Sequence, residues 1–227
     1  SENKWYLLQL AYLYKSNGLH KEALASFEKL HKLEPQNLNY AFSLADAYLY
    51  VGEAKKAIEI MDEVESQIGV TEELSYQKRD LYIKMGDKKN AIKTIQDLVD
   101  AFPDEPMHIG ALAETYQMVG DIDKAFEYYQ KLLSIDPNNG VAHFSMFQLY
   151  VNQQKDDLAI ESLKKAFLSD DVTIDLKIEV LLKMYEMNSE KYNKSSYELL
   201  DILTQIHPND AKTYSIYGDF LNRDRRV

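Results

Sequence analysis

The sequence contains no cysteine, which removes disulfides, thiolate nucleophiles and cysteine-ligated zinc or iron–sulfur centres. Glycine and proline are scarce, at eight and five in 227 residues. That is too few for the turns of an all-β domain or a dinucleotide-binding α/β domain. No apolar run approaches the ~20 residues needed to span a bilayer. Basic residues number 26 against 37 acidic ones, for a formal net charge of −11. A surface of that sign repels phosphate backbones, so nucleic acid is excluded as a general partner. The opening Ser1-Glu2-Asn3-Lys4 has no signal-peptide shape. A processed chain would start the same way, so the compartment stays open between cytoplasm and periplasm, the latter for a longer chain carrying a signal peptide.

Tyrosine is abundant, with 17 copies against one tryptophan. Hydrophobic residues make up 45% and charged residues 28%, the balance of a folded chain that is neither disordered nor membrane-embedded. Many tyrosines with few helix breakers point to helices carrying a repeated aromatic position.

That repetition is explicit. Tyr14, Tyr48, Tyr82, Tyr116 and Tyr150 follow one another at steps of 34 residues. Gly18, Gly52, Gly86 and Gly120 keep the same step, with Gln154 next in line. Ala23, Ala57, Ala91, Ala125 and Ala159 form a third ladder, and Pro35, Pro103 and Pro137 share a phase in which Gly69 takes the remaining place. Within each copy the apolar period is that of a helix: Leu112, Ala113 and Tyr116 share one face, and Ala125, Tyr128, Tyr129 and Leu132 continue on a second. The glycine ends the first helix, Asp121 can cap the second, and Pro137 stops it. Each unit therefore reads as a helix–turn–helix hairpin, with a small alanine where the helices approach.

The period and the spacing resemble the tetratricopeptide repeat family. The first copy matches best, with Leu10-Ala11, Tyr14, Gly18, Ala23, Phe27 and Pro35 in order. Leu7 stands where the family often has tryptophan, and Ala11 where it often has glycine. The resemblance covers essentially the whole chain and implies an all-α fold, a right-handed superhelix of hairpins forming a single array. Repeats are expected at about 4–37, 38–71, 72–105, 106–139 and 140–173, followed by an irregular one at 174–210 and a partial one at 211–227. Pro208 follows Pro137 by 71 residues, three more than two repeats of 34. The extra residues are assigned to a long polar turn over Asn188–Ser196. The last helix carries Asp219, Asn222, Arg223, Asp224, Arg225 and Arg226, a crude polar cap. The expectation is that the chain is a fragment of a longer protein.

A search for chemistry finds none. His20, His31, His108, His143 and His207 show no paired metal spacing. Asp136-Pro137-Asn138-Asn139-Gly140 lacks the closing glutamate of a calcium loop and reads as a turn. Asp170, Asp171 and Asp175 read as helix caps, and there is no nucleophile elbow or phosphate loop. The chain is expected to be no enzyme and to hold no cofactor and no metal.

The tyrosine ladder lies on the face of the leucine and alanine positions and reads as packing. The opposite face of each first helix would, by family resemblance, line a concave groove. Its residues include Trp5 and Tyr12; Phe42, Asp46 and Tyr50; Tyr76 and Asp80; Met107 and Glu114; and Phe144 and Gln148. Aromatic or methionine residues beside carboxylates and amides are the composition of a recognition surface, and the carboxylates favour an apolar and basic peptide. Co-chaperones of the family that grip acidic chaperone C-termini use a Lys, Asn and Arg clamp on these faces. Here the matching positions hold Leu8, Tyr12, Ser43, Glu73 and Gln77, which disfavours that ligand. The leading reading is thus a non-catalytic protein–protein interaction scaffold that binds a segment of another protein. The alternative is a regulatory or docking domain of a larger enzyme or transport assembly, its groove occupied by the same chain. Homodimerisation through an uncapped end stays open.

Overall fold

The computed structural model describes residues 3–187 and 190–225. Among them the chain forms thirteen α-helices and no strand. Contacts divide it into two compact units, Ser1–His108 and Ile109–Val227. The first contains α1 (Lys4–Ser16), α2 (His20–Leu33), α3 (Leu38–Tyr50), α4 (Ala54–Ile68), α5 (Glu72–Lys84) and α6 (Lys88–Ala101). Helix α7 (Pro106–Val119) spans the boundary. The second unit continues with α8 (Ile122–Ile135), α9 (Gly140–Asn152), α10 (Asp156–Leu168), α11 (Ile174–Met187), α12 (Glu190–Ile206) and α13 (Ala211–Arg223).

The hairpin turns fall where the glycine ladder places them. Gly52 takes φ +82° in the left-handed region, which costs a residue with a Cβ about 1–2 kcal/mol. The following amide, Glu53 N–H, then reaches back to the Tyr48 carbonyl at 2.9 Å. The same six-residue bond joins Leu19 to Tyr14, Asp87 to Tyr82, Asp121 to Tyr116 and Lys155 to Tyr150. In the fifth repeat the turn residue is Gln154, which adopts φ +58° despite its side chain. First helices begin on a side-chain cap: Asn3, Asn37, Thr71 and Asn139 each accept from a backbone N–H of the first turn.

The alanine ladder is the closest approach of the paired helices. Ala23, Ala57, Ala91, Ala125 and Ala159 are all 0–2% exposed. One core cluster in the first unit gathers Ala11, Phe27, Leu30, Leu44 and Met61. The second unit holds two, one around Ala113, Tyr129 and Leu149 and one around Phe167, Leu181, Leu200 and Phe220. Among the described residues two lysines are buried. Lys78 sits in the position held by Leu44 and Leu112 in neighbouring repeats, and its Nζ donates to Asp62 at 2.6 Å and Glu65 at 2.8 Å. Burial works against its charge, but those two bonds outweigh it and raise its pKa. Lys177 is fully buried and donates to the Ser169 carbonyl at 2.8 Å. Here burial wins and the pKa is lowered, with Asp170 opposing.

The irregular repeat differs from its sequence expectation. Residues 190–196 are helical and belong to α12, which is 17 residues long. The nine-residue turn over Asn188–Ser196 is therefore not formed, and Asn188 and Ser189 lie outside the described residues. The three extra residues lengthen the second helix at its start. Ser196, 0% exposed, takes the alanine position and donates its hydroxyl to the Tyr192 carbonyl at 2.8 Å. Leu200 follows in the position of Leu163 and is fully buried. Near the far end, the Arg223 guanidinium donates to the Tyr185 carbonyl and to Asn193 Oδ1, both at 2.9 Å.

The ladder tyrosines pack as expected and are half-buried. Tyr116 stacks on Tyr128 at 5.3 Å, and Tyr150 meets Phe126 edge-on at 5.5 Å. Tyr48 donates its hydroxyl to Glu28 at 2.8 Å. Burial first, and then the Glu28 carboxylate, push its phenol up to about 12.

Two outcomes follow from these turns and contacts. Gly52→Ala should lower the stability measured in urea by about 1 kcal/mol, whereas Gln154→Gly should raise it by about 0.5–1 kcal/mol. Tyr48 should also make stability fall at high pH. Its contribution is complete below the unfolded phenol's pKa of about 10 and is lost as pH rises through about 12. Urea melts at neutral pH and at pH ~11.5 should show the gap between wild type and Tyr48→Phe closing at the higher pH.

Candidate aromatic recognition surface

In the first unit, helices α1, α3 and α5 each turn one face away from their hairpin partners. On α1 that face carries Trp5, 68% exposed, and Tyr12. On α3 it carries Phe42, Asp46 and the 58%-exposed Tyr50. These large apolar groups remain in water because the hairpin core is already filled by the opposite faces, through Leu7, Ala11 and Tyr14 on α1 and Ala41, Leu44 and Tyr48 on α3.

Tyr12 and Phe42 border one cavity of about 430 Å³, whose other walls are Leu8, Asn37, Asn39, Tyr40 and Ser43. Tyr12 is held by an edge contact with Phe27 at 5.5 Å, and its hydroxyl lies 3.3 Å from Ser43 Oγ. The walls thus combine aromatic faces with amide and hydroxyl groups, and no charged side chain lines the cavity. It can take an apolar side chain while Asn39 offers a donor and an acceptor to a neighbouring backbone; Asn37 is committed to capping α3 and to Glu34.

Two carboxylates of this face, Asp46 and Asp80, have cation partners. Lys15 donates to Asp46 at 3.2 Å and its ammonium stands 5.2 Å from the Tyr50 ring centre. Tyr50 also stacks nearly parallel on His20 at 5.0 Å. On α5, Arg79 Nε donates to Asp80 at 2.9 Å, and its guanidinium lies 5.2 Å from the ring centre of the half-buried Tyr76. Gln77 donates to Glu73 at 3.3 Å. Arg79 was not identified as a member of the face from sequence. It occupies the small-residue position of Ala11 and Ala45, and a residue of that size there is itself the signal of a departure from the packing pattern. Lys15, by contrast, lies on the face by helical spacing, and only its bond to Asp46 was hidden.

Met107 closes the first unit's share of the candidate residues and is 58% exposed. In the second unit, Glu114 and Gln148 are exposed. Phe144 is half-buried, lies 5.9 Å from Phe147 and packs on the cluster around Phe167 and Leu181. Another cavity of this unit, about 370 Å³, opens between α8 and α10 over Met146 and Tyr150 and contains none of the candidate residues. Among the described residues no group of three or more His, Asp or Glu side chains is placed to hold a metal ion. No helix among them is long and apolar enough to cross a membrane.

Comparison with known families agrees with this repeat geometry. A tetratricopeptide repeat model matches residues 110–139. A model described as anaphase-promoting complex, cyclosome, subunit 3 matches residues 16–98. The fold is similar to that of a MamA protein, at 23% identity, covering 72% of this chain and 90% of that one with a TM-score of 0.54. It is similar to MamA from Desulfovibrio magneticus RS-1 at 18% identity, over 79% of this chain and 97% of that one, again with a TM-score of 0.54. A tetratricopeptide repeat protein from Parabacteroides merdae matches over 96% of this chain and 84% of its own, at 17% identity and a TM-score of 0.52. With the 34-residue ladders, the left-handed turns, the alanine contacts and these matches together, the chain has the fold of tetratricopeptide-type helical hairpins, the repeat whose model matches residues 110–139.

Proposed function

We propose that the chain is a non-catalytic scaffold whose first-helix face in the unit Ser1–His108 binds an extended, apolar and basic segment of another protein. The observation that carries this reading is the run of exposed Trp5, Tyr12, Phe42 and Tyr50 on successive first helices, with Tyr12 and Phe42 opening onto one cavity. Isolated exposed apolar residues are ordinary on a protein surface, but contiguous aromatics beside amides are the makings of an interface core. An apolar side chain of the ligand fills the cavity, and its backbone bonds to Asn39. Basic side chains of the ligand compete with Lys15 and Arg79 for Asp46 and Asp80, so charge contributes less here than the count of carboxylates suggests. The residues of the second unit, Glu114, Phe144 and Gln148, serve as a separate and weaker part of the surface.

An array of apolar–basic peptides, read by fluorescence polarisation, tests this. Phe42→Ala should weaken a captured peptide by at least about thirtyfold, equivalent to about 2 kcal/mol, while the melting temperature stays near that of the wild type. Asp46→Asn should act mainly on the association rate and flatten its salt dependence. Unchanged affinity in folded Phe42→Ala would remove this face as the site.

A further inference from the structure

Second helices of the two units open on opposite charges. The first turn of α8 carries Asp123, and that of α10 carries Asp156 and Asp157. The matching turns of α4 and α6 hold no acidic residue and carry Lys55-Lys56 and Lys88-Lys89 instead. Lys21, Lys55 and Lys89 form one column at the 34-residue step, which Asp123 and Asp157 continue. The aspartates complement the positive end of the helix dipole, whereas the lysines oppose it. Helix stability therefore does not account for the lysines.

Pairing does not account for them either. Lys55, Lys88 and Lys89 are exposed and form no ion pair among the described residues. Lys56 comes only to 3.9 Å from Glu53. Lys84, at the end of α5, and Lys93, one turn beyond Lys89, are also exposed and unpaired among the described residues. Helix α4 packs on α5, so the second and third hairpins of this unit present their tips side by side. Over residues 51–56 and 84–93, six lysines stand against two carboxylates, Glu53 and Asp87. Asp87 is already occupied in capping α6. On a chain of net charge −11, this is a local excess of positive charge that nothing nearby neutralises.

We propose that these two tips bind an acidic, extended segment of another protein, on a surface separate from the aromatic one. Charge complementarity selects the occupant. Carboxylates spaced along an extended chain meet the lysines of one tip and then those of the next, and a backbone N–H between them can donate to Glu53. A nucleic acid carries a phosphate at every nucleotide and would run that charge past the tips, over the carboxylate-rich remainder of the chain. Each exposed pair contributes little, so the contact rests on several of them together and is weak and salt-sensitive. The surface is independent of the cavity at Tyr12 and Phe42 and stands whether or not that face binds.

Fluorescence anisotropy tests this with a labelled Glu-Gly repeat peptide of about 12 residues, ~40 Å when extended. The 227-residue chain should bind it at ~20 mM salt and lose about tenfold or more in affinity at ~300 mM, while a Gln-Gly peptide should not bind. Lys55→Gln with Lys89→Gln should weaken binding about tenfold. The melting temperature should stay level or rise slightly, because both lysines oppose a helix dipole. Phe42→Ala should leave this peptide bound as in the wild type. Lys165→Gln with Lys183→Gln removes the same charge where each lysine pairs within its own helix, with Glu161 and Glu179, and should leave the affinity nearly unchanged. Equal weakening by the two double variants would reduce the effect to net charge and overturn the proposal. Absence of binding at low salt, or a melting temperature lowered by the Lys55 and Lys89 changes, would overturn it as well. So would an oligothymidylate of the same length held more tightly through the same lysines, the occupant then being a nucleic acid. A mass that doubles at low salt in the wild type alone would overturn it in favour of a second copy.

Discussion

When a helix ends inside a crowded hairpin, its last carbonyls need donors that the helix itself can no longer supply. In five successive repeats that need is met in one way. A residue in the left-handed region reverses the chain, and the next amide bonds the carbonyl of the ladder tyrosine. The same tyrosine sends its ring towards a neighbouring second helix, where Tyr116 finds Tyr128 and Tyr150 finds Phe126. One residue thus serves both the turn and the packing around it. The alanine position depends on that arrangement, because a hairpin closed at another angle would not bring its helices close enough to require alanine. The exposed first-helix faces depend on it in turn, since they are the sides left over once the turn has fixed which face looks inward.

The repeat was legible because its constraints are local and recur at a fixed step. A left-handed turn selects glycine and a close approach selects alanine, and both appear as columns in the sequence. Where a different residue meets the same constraint the column breaks, and the reading breaks with it. Ser196 fills the alanine place by returning its hydroxyl to the preceding turn, so its buried position looks polar on paper. That is why 190–196 read as a loop, although it is the start of a 17-residue helix. Gln154 breaks the glycine column in the same manner, but its flanking tyrosine and alanine kept the turn recognisable.

The candidate surface was legible in a different degree. Family resemblance singled out the face of the first helices, and helical spacing then gave its members Trp5, Tyr12, Phe42 and Tyr50. Pairing does not follow from period. The bond from Lys15 to Asp46 joins two helices, and the bond from Arg79 to Asp80 depends on rotamers within one turn. Counting Asp46 and Asp80 as open acidic groups therefore overstated the negative charge of the face. Lys78 is a related case: a lysine in a leucine position is invisible as core until Asp62 and Glu65 are seen to approach it.

The longer α12 has a consequence for how such a chain can change its length. Its added residues sit at the outer tip of a hairpin, ahead of the buried Ser196 and Leu200. Everything inward of the tip keeps its register. From the added segment Tyr192 reaches Asp156 at the start of α10, 3.4 Å away, so the overhang touches the neighbouring tip while the Tyr192 ring packs on the edge of the cluster around Phe167 and Leu200. Insertions or deletions at hairpin tips can thus remodel the rim of a repeat array in increments smaller than a repeat. They supply new edge contacts without any interior side chain having to move.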